Sequence, residues 1–252
     1  QKYDLRDYGR VSKVKNQGSE GYCWAFASVA SMESSILSQN GLKSKLGENP
    51  QDTIDLSEAG QTWYIHSGIV DKSSPFYGDY INDSSKGSNG GTSDTLAISL
   101  NSGFGTYPQS LCPYNEVKKG FSETLRYYSD YRLKDYSEIS NNRDTLKSKI
   151  VSNGAVTVYY PSITDCYSSD YANYYSDNTC IGIGDSHLIV VVGWDDNYSK
   201  DNFTGKVKPS NDGAWLCKNS WGEHYGNDGY IWISYDTTNL AFSQYIMQDN
   251  NA

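Results

Sequence analysis

An α+β chain folded into two lobes is what this sequence predicts, and three features of the pattern predict it. Segments with helical apolar spacing fall in the first half, whereas β-branched and continuously apolar runs fall in the second. No repeat or Pro-rich linker separates the halves, so the lobes should pack directly and leave a cleft between them. At 252 residues the chain can form one large domain, or two tightly packed small ones, with a sizeable core.

Residues 1–15 read as an extended arm with a turn over 6–10. A glycine-rich loop carrying Gln17 then leads into a helix from Cys23 to about Asn40. Its face Phe26, Ala27, Ala30, Ile36 and Leu37 is apolar, and Gly41 is the expected stop. Past a loop through Gly47, Asn49 and Pro50, Ser57 is the expected N-cap of a second helix over Glu58–His66. His66 closes that helix among polar residues and is expected to be solvated or capping. A loop rich in Ser, Gly and Asn fills 68–91, and a third helix is expected over Ser93–Asn101, stopped by Gly103. One more helix, about Arg143–Ser152, precedes the strands. These are Ala155–Tyr160, alternating and β-branched; His187–Trp194, apolar throughout and therefore buried on both faces; Ala214–Lys218; and Tyr230–Tyr235.

Composition excludes some functions. The net charge of -9, with no basic run, makes duplex nucleic acid a poor partner. No apolar run is long enough to span a bilayer. The opening Gln1-Lys2-Tyr3-Asp4 lacks a charged-then-apolar leader, so the chain is either cytosolic or a processed form. With 23 tyrosines, abundant Ser and Asn and only 21 Lys plus Arg, composition favours a secreted or cell-surface protein. Five cysteines fit one free thiol and up to two disulfides. Cys166 and Cys180 bracket a Tyr/Ser/Asp-rich loop and are the expected bridge; Cys217, in an apolar strand, is expected buried and free. No cysteines show zinc-ligand spacing, and neither metal nor cofactor is expected.

Most cysteines on helices are structural. Cys23 differs in opening its helix, where unpaired N–H groups and the positive end of the dipole favour thiolate. Gln17 can bring its amide towards the Cys23 N–H, and two such donors stabilise charge developing on a carbonyl oxygen. A nucleophilic thiol also needs a base and an orienter. His224 sits in a polar turn and is expected to be bland, like His66. His187 opens the most apolar strand, where a rigid backbone can aim an imidazole into the cleft. Asn219 can fix its tautomer, and Trp221 can roof that bond against water.

Three stretches now stand in order: Gln17 with Cys23-Trp24-Ala25-Phe26-Ala27; Ser186-His187-Leu188 with Val192-Gly193-Trp194; and Lys218-Asn219-Ser220-Trp221-Gly222 with Tyr225-Gly226 and Gly229-Tyr230. They resemble the signature blocks of papain-like cysteine peptidases. Tyr3-Asp4-Leu5-Arg6, Leu56-Ser57-Glu58 and Gly87-Ser88-Asn89-Gly90-Gly91 resemble further blocks, so the likeness covers nearly the whole chain. The resemblance implies a single peptidase domain over 1–252, with a helical lobe over roughly 10–115 and an antiparallel, β-barrel-like lobe over 1–9 and 116–252. It implies a Cys23–His187 thiolate–imidazolium pair, Asn219 as orienter and Gln17 as oxyanion donor. It places Gly90 and Gly91 where backbone pairs with extended substrate, and Ser186, Tyr159 and Trp221 beside the groove. Tyr159 and Ala155 should form one wall of the non-primed pocket, Thr92 and Ser93 the other, favouring small or medium apolar side chains.

Departures from the family pattern also carry information. Glu20 and Ser88 occupy positions where the family usually has a disulfide, and Tyr22 replaces a small residue, which should crowd or line the primed side. The interval from His187 to Asn219 is lengthened over 195–213. Its acidic start, Asp195–Asp201, is rich in oxygen ligands but lacks the glycine of a calcium hand, and reads as a solvated turn with calcium left open. These features are similar to the bacterial cell-surface branch of the family. They imply a monomeric endopeptidase made as a precursor, with its own propeptide and protein or peptide substrates as partners. The rival readings are a catalytically retired peptide- or glycan-binding module and an amidase acting on cell-wall stem peptides.

Overall fold

The computed structural model describes residues 1–69, 72–73, 77–78, 85 and 87–251. Part of the loop expected over 68–91 therefore lies outside the described residues. The chain opens with strand β1 (Lys2–Asp4) and then reaches helix α1 (Cys23–Leu37). An amphipathic helix was expected from the sequence, yet α1 is buried nearly all round. Its serines are spent on backbone partners: Ser31 Oγ donates to the Ala155 carbonyl (2.8 Å) and Ser34 Oγ to that of Arg10 (2.8 Å). Satisfied in this way, small polar side chains enter a core at little penalty.

The helix also ends earlier than Asn40. Gln39 takes up extended backbone, and its amide donates to the carbonyls of Ser35 (3.0 Å) and Met247 (2.8 Å). The expected stop, Gly41, falls inside a separate short helix, α2 (Asn40–Lys43), which is followed by α3 (Pro50–Thr53). Helix α4 (Glu58–Ile65) begins as expected at Ser57, whose Oγ accepts from the Gly60 N–H (2.9 Å) and donates to the Cys112 carbonyl (2.5 Å). Ser57→Ala removes the cap and strands a buried carbonyl, so a loss of about 2 kcal/mol is expected in urea unfolding. His66 is buried rather than solvated. It occupies the C-cap of α4, with Nδ1 at 2.7 Å from the Thr62 carbonyl and its ring edge-on to Trp24. Helix α5 (Ser93–Asn101) matches its expected bounds.

The second half supplies strand β2 (Tyr131–Ile139), helix α6 (Arg143–Asn153), and strands β3 (Val156–Ile163), β4 (Asn173–Tyr174), β5 (Gly184–Asp195), β6 (Ala214–Lys218), β7 (Tyr230–Ser234) and β8 (Ala241–Asp249). They form one sheet in the order β2-β8-β3-β5-β6-β7-β4, with β1 added against β5. Every pairing is antiparallel except the short β4–β7 contact. The sequence analysis missed β2, β4 and β8 as strands. In β8 the inward residues include Ser243 and Gln244, bonded to Thr157 and to the Gly154 carbonyl, so apolar alternation does not reveal the strand. β5 is the organising strand, paired with β3 through Gly184–Val191, with β1 at Gly193–Asp195 and with β6 at Val190–Asp195. A side chain at Gly193 would meet the Tyr3 carbonyl at 2.3 Å, so the crossing of β1 demands glycine there.

α1 packs its length against β5 and β8, and a continuous core joins Trp24, Val29 and Met32 to Val156, Val190 and Tyr245. The result is a two-lobed α+β fold in which the N-terminal end of α1 meets the start of β5. The expected bridge Cys166–Cys180 is formed, while Cys112 and Cys217 are buried and free. In the acidic stretch Asp195 accepts from the Asn197 N–H, and Asp196 pairs with Lys147 (2.6 Å).

Candidate active site

Cys23 is the first residue of α1, entered through Tyr22 in a non-helical conformation. Burial dominates and raises the thiol pKa above its ordinary value, with nearby Asp185 adding to it; the backbone N–H of Leu188 on β5, and at the helix start those of Trp24 and Cys23 itself, work in the opposite direction.

His187 stands on β5 opposite Tyr160 of β3, only 6% exposed. Its Nε2 lies 2.9 Å from Asn219 Oδ1, which also accepts the Ser220 N–H (2.8 Å). An oxygen cannot donate, so the ring must carry its proton on Nε2, and the neutral form leaves Nδ1 free as a base. The Trp221 indole stacks on the imidazole (centroids 4.8 Å, 19°), and Tyr160 meets it edge-on (5.7 Å). This enclosure pushes the imidazole pKa down to about 4, the Asn219 bond working in the opposite direction.

Gln17 is held from several directions. Its Nε2 donates to the Glu20 carbonyl (2.9 Å), leaving the second amide hydrogen available, while Oε1 accepts from Ser220 Oγ (2.7 Å). Its N–H donates to the Ser220 carbonyl (2.8 Å), and its own carbonyl accepts from Tyr114 (2.7 Å). Ser220 therefore aims Gln17, while its neighbours Asn219 and Trp221 aim His187. Sequence reasoning missed this role, although its position within the block 218–222 was a usable signal.

Cys23 and His187 line one cleft of about 480 Å³, together with Gly91, Tyr159 and Ser186. Thr92 and Ser93 line it as expected. Ala155 does not; it is buried against α1, its N–H donating to Ser34 Oγ, and Thr157 takes its place. Asp94, beside Ser93, also faces the cleft, as do Glu138 and 240–243, which had no sequence signal because they come from strands far from any motif. Ile139, Leu240 and Phe242 give this wall apolar surface beside the two carboxylates. Gly90 has φ +112°, and a side chain on Gly91 would strike the Trp24 indole at 2.7 Å. That loop is tied down without the family disulfide, by Gly21 N–H to the Ser88 carbonyl (2.6 Å) and Trp24 Nε1 to that of Gly87 (3.1 Å). Tyr22 lies away from the groove, buried with Phe26, Ala59 and Val117. His224 is exposed in its turn.

The model of the papain family cysteine protease matches residues 1–248. The chain belongs to the papain family of cysteine proteases. Among its relatives, procathepsin L of Rattus norvegicus is 29% identical over 243 residues, and cathepsin J of Mus musculus 26% over 236. Each alignment covers 94% of this chain and 60% of the relative, so the chain spans well under two thirds of the curated relatives it matches. Among solved structures, the clostridial cysteine protease Cwp84 after propeptide cleavage superposes with a TM-score of 0.78 at 28% identity, covering 98% of this chain and 58% of that one. A structure of the cysteine protease and lectin-like domains of Cwp84, described as a surface layer associated protein of Clostridium difficile, gives 0.75 at 29%, covering 98% and 52%. Bromelain from Ananas comosus, with a TM-score of 0.64 at 21% identity over 97% of this chain and 98% of its own, shares the papain-family fold.

Proposed function

We propose that this chain is a thiol endopeptidase acting on proteins outside the cell or at its surface. The observation that carries the reading is one cleft lined by Cys23, at a helix start, and by His187, whose Nε2 is committed to Asn219. In this reading Cys23 gives its proton to Nδ1 of His187 as Sγ adds to the substrate carbonyl carbon. Burial opposes either charge alone, so thiolate and imidazolium form together, each stabilising the other. The Cys23 N–H and the Gln17 amide receive the oxyanion. His187 then protonates the departing amine, the C–N bond breaks, and a water deprotonated by His187 cleaves the thioester. Gly90, Gly91, Tyr159 and Ser186 hold the acyl-side peptide.

The surface assignment draws on the likeness to surface-layer-associated Cwp84 and on the acidic, tyrosine-rich composition. Among the described residues no helix is long and apolar enough to cross a membrane. Synthesis as a precursor with its own propeptide belongs to the same proposal. The deciding experiment is labelling with an epoxysuccinyl or iodoacetamide probe at mildly acidic pH, alongside hydrolysis of a surface-protein mixture followed by mass spectrometry. Stoichiometric labelling of Cys23 with new peptide termini supports the endopeptidase. An inert thiol would favour the retired binding module, and cleavage confined to purified cell wall would favour the amidase.

A pH profile follows from the same groups. Below the imidazole pKa the ring cannot accept the thiol proton, so kcat/KM is expected to rise through an acid limb near pH 4 and stay high through neutrality. Asn219→Ala removes an interaction that raises this pKa, and should move the limb to lower pH as activity falls. A limb above pH 6 in the parent protein would contradict the assignment.

A further inference from the structure

A second trench, about 620 Å³, abuts the reacting centre without sharing a wall residue with the Cys23 cleft. Trp221, which stacks on His187, forms one side, and Gly18 and Ser19, beside Gln17, form another; Tyr171 and Tyr225 add aromatic walls, and Ser162, Thr164 and Asp185 polar ones. Gly91 and Tyr159 border the other cleft, so a peptide crossing Cys23 leaves its amine side on the trench, next to the imidazole that protonates it.

Three rings here meet edge-on as a triangle: Tyr171–Trp221 at 6.4 Å, Tyr171–Tyr225 at 5.9 Å and Trp221–Tyr225 at 5.6 Å. Tyr225 remains 48% exposed, although it has neighbours against which it could be covered. Tyr171 has φ +57°, a left-handed conformation that a bulky L-residue avoids. Such strain persists only where the surroundings enforce it. Here they do. The Tyr171 N–H donates to the Ser168 carbonyl (2.9 Å), Asp170 accepts from both Ser168 Oγ (2.5 Å) and the Ala172 N–H (3.1 Å), and the Cys166–Cys180 bridge closes the loop. Exposed apolar side chains stand beside the trench too. The Ile183 carbonyl accepts from Thr164, a trench residue, and the side chains of Ile181 and Ile183 are 77% and 91% exposed.

We propose that this trench selects substrates carrying an aromatic side chain immediately after the cleaved bond, with Tyr171 and Tyr225 as the specificity-determining residues. The inference rests on the endopeptidase reading. An incoming ring completes the edge-to-face cluster and covers Tyr225, whereas glycine at that position gains neither contact. Aromatic platforms also suit sugars, but this one adjoins the scissile bond of a peptide already held by the first cleft, which favours the peptide's own leaving segment.

The test uses the acyl-enzyme. A peptidyl methyl ester acylates Cys23 with loss of methanol, and added amines compete with water for the thioester. Capture forms a C–N bond, breaks the C–S bond and returns the amine proton through His187 to sulfur. Phenylalanine amide is expected to be captured about tenfold more efficiently than glycine amide. The advantage should fall below about threefold in Tyr225→Ala and in Tyr171→Gly, the latter a residue that accepts φ +57° and so keeps the loop. Ester turnover with equal capture of both amides would overturn the trench assignment alone; absence of ester turnover would overturn it together with the endopeptidase reading. Slowing by chitotetraose with no aromatic preference would identify a glycan platform and likewise reject the proposal.

Discussion

Cys23→Ala is expected to lower kcat/KM on a peptide substrate by roughly 10⁵-fold while leaving the unfolding midpoint close to that of the parent. The size of the loss follows from the pathway. Without sulfur there is no acyl-enzyme, and what survives is attack by water within a site that still binds substrate and still offers the Gln17 amide. His187 cannot rescue the reaction efficiently, because without a thiol it has no nucleophile of the chain to deprotonate, and its ring favours the neutral form down to about pH 4. The modest stability effect follows from partial exposure and small volume. Cys23 is only half-buried at the cleft, and alanine retains the Cβ that starts α1. The check is a progress curve on an internally quenched peptide, with parallel urea unfolding. A variant keeping a tenth of the parent rate would show that another group carries the chemistry.

The groups proposed to react were legible in the sequence because each carries a local signal. Cys23 follows a glycine-rich loop and opens a helix, His187 heads the most apolar strand, and Asn219 sits within a compact aromatic block. What brings them together is long-range: His187 and Asn219, 32 residues apart, meet at 2.9 Å. Two of the misses share one physical origin, polar atoms satisfied inside the core. The serines of α1 look like a solvent face, but Ser28 and Ser35 accept from the Tyr245 hydroxyl (3.3 Å) and the Met247 N–H (3.0 Å). Periodicity records side-chain type, not whether a partner waits across the interface. β8 escaped notice for the same reason. The cleft wall was hidden differently. Glu138 and 240–243 enter it through the pairing of β2 with β8, and no stretch of sequence near the motifs announces that pairing.

Glu33→Ala should be among the most destabilising single changes in the chain, costing about 3–5 kcal/mol in urea unfolding, with Glu33→Gln at about 2 kcal/mol. Glu33 lies on α1 with its side chain fully buried. Its carboxylate accepts from Ser12 Oγ (2.5 Å), Lys15 Nζ (3.0 Å) and the Leu56 N–H (2.8 Å). Lys15 reaches on to Glu58 (2.8 Å) and Asp55 (2.9 Å), and Lys218 donates to Ser12 (3.0 Å). Burial pulls Lys15 down, but the carboxylates around it outweigh burial and hold it above its ordinary value. Lys218, with no carboxylate within ion-pair distance among the described residues, is pushed down to about 8 by burial. Removing Glu33 strands a buried N–H and a hydroxyl, leaves Lys15 to Glu58 and Asp55, and takes from Lys218 the carboxylate that most favours its charge. The glutamine variant retains an acceptor and the volume, which is why its loss should be smaller. The network also spans the two halves of the site, since α1 begins at Cys23 and Lys218 is the residue before Asn219 on β6. Loosening it should therefore reduce kcat in step with stability, through displacement of the Asn219–His187 couple relative to the sulfur. A loss of less than 1 kcal/mol for Glu33→Ala would mean that apolar packing between α1 and β5 holds the two halves together without these charges.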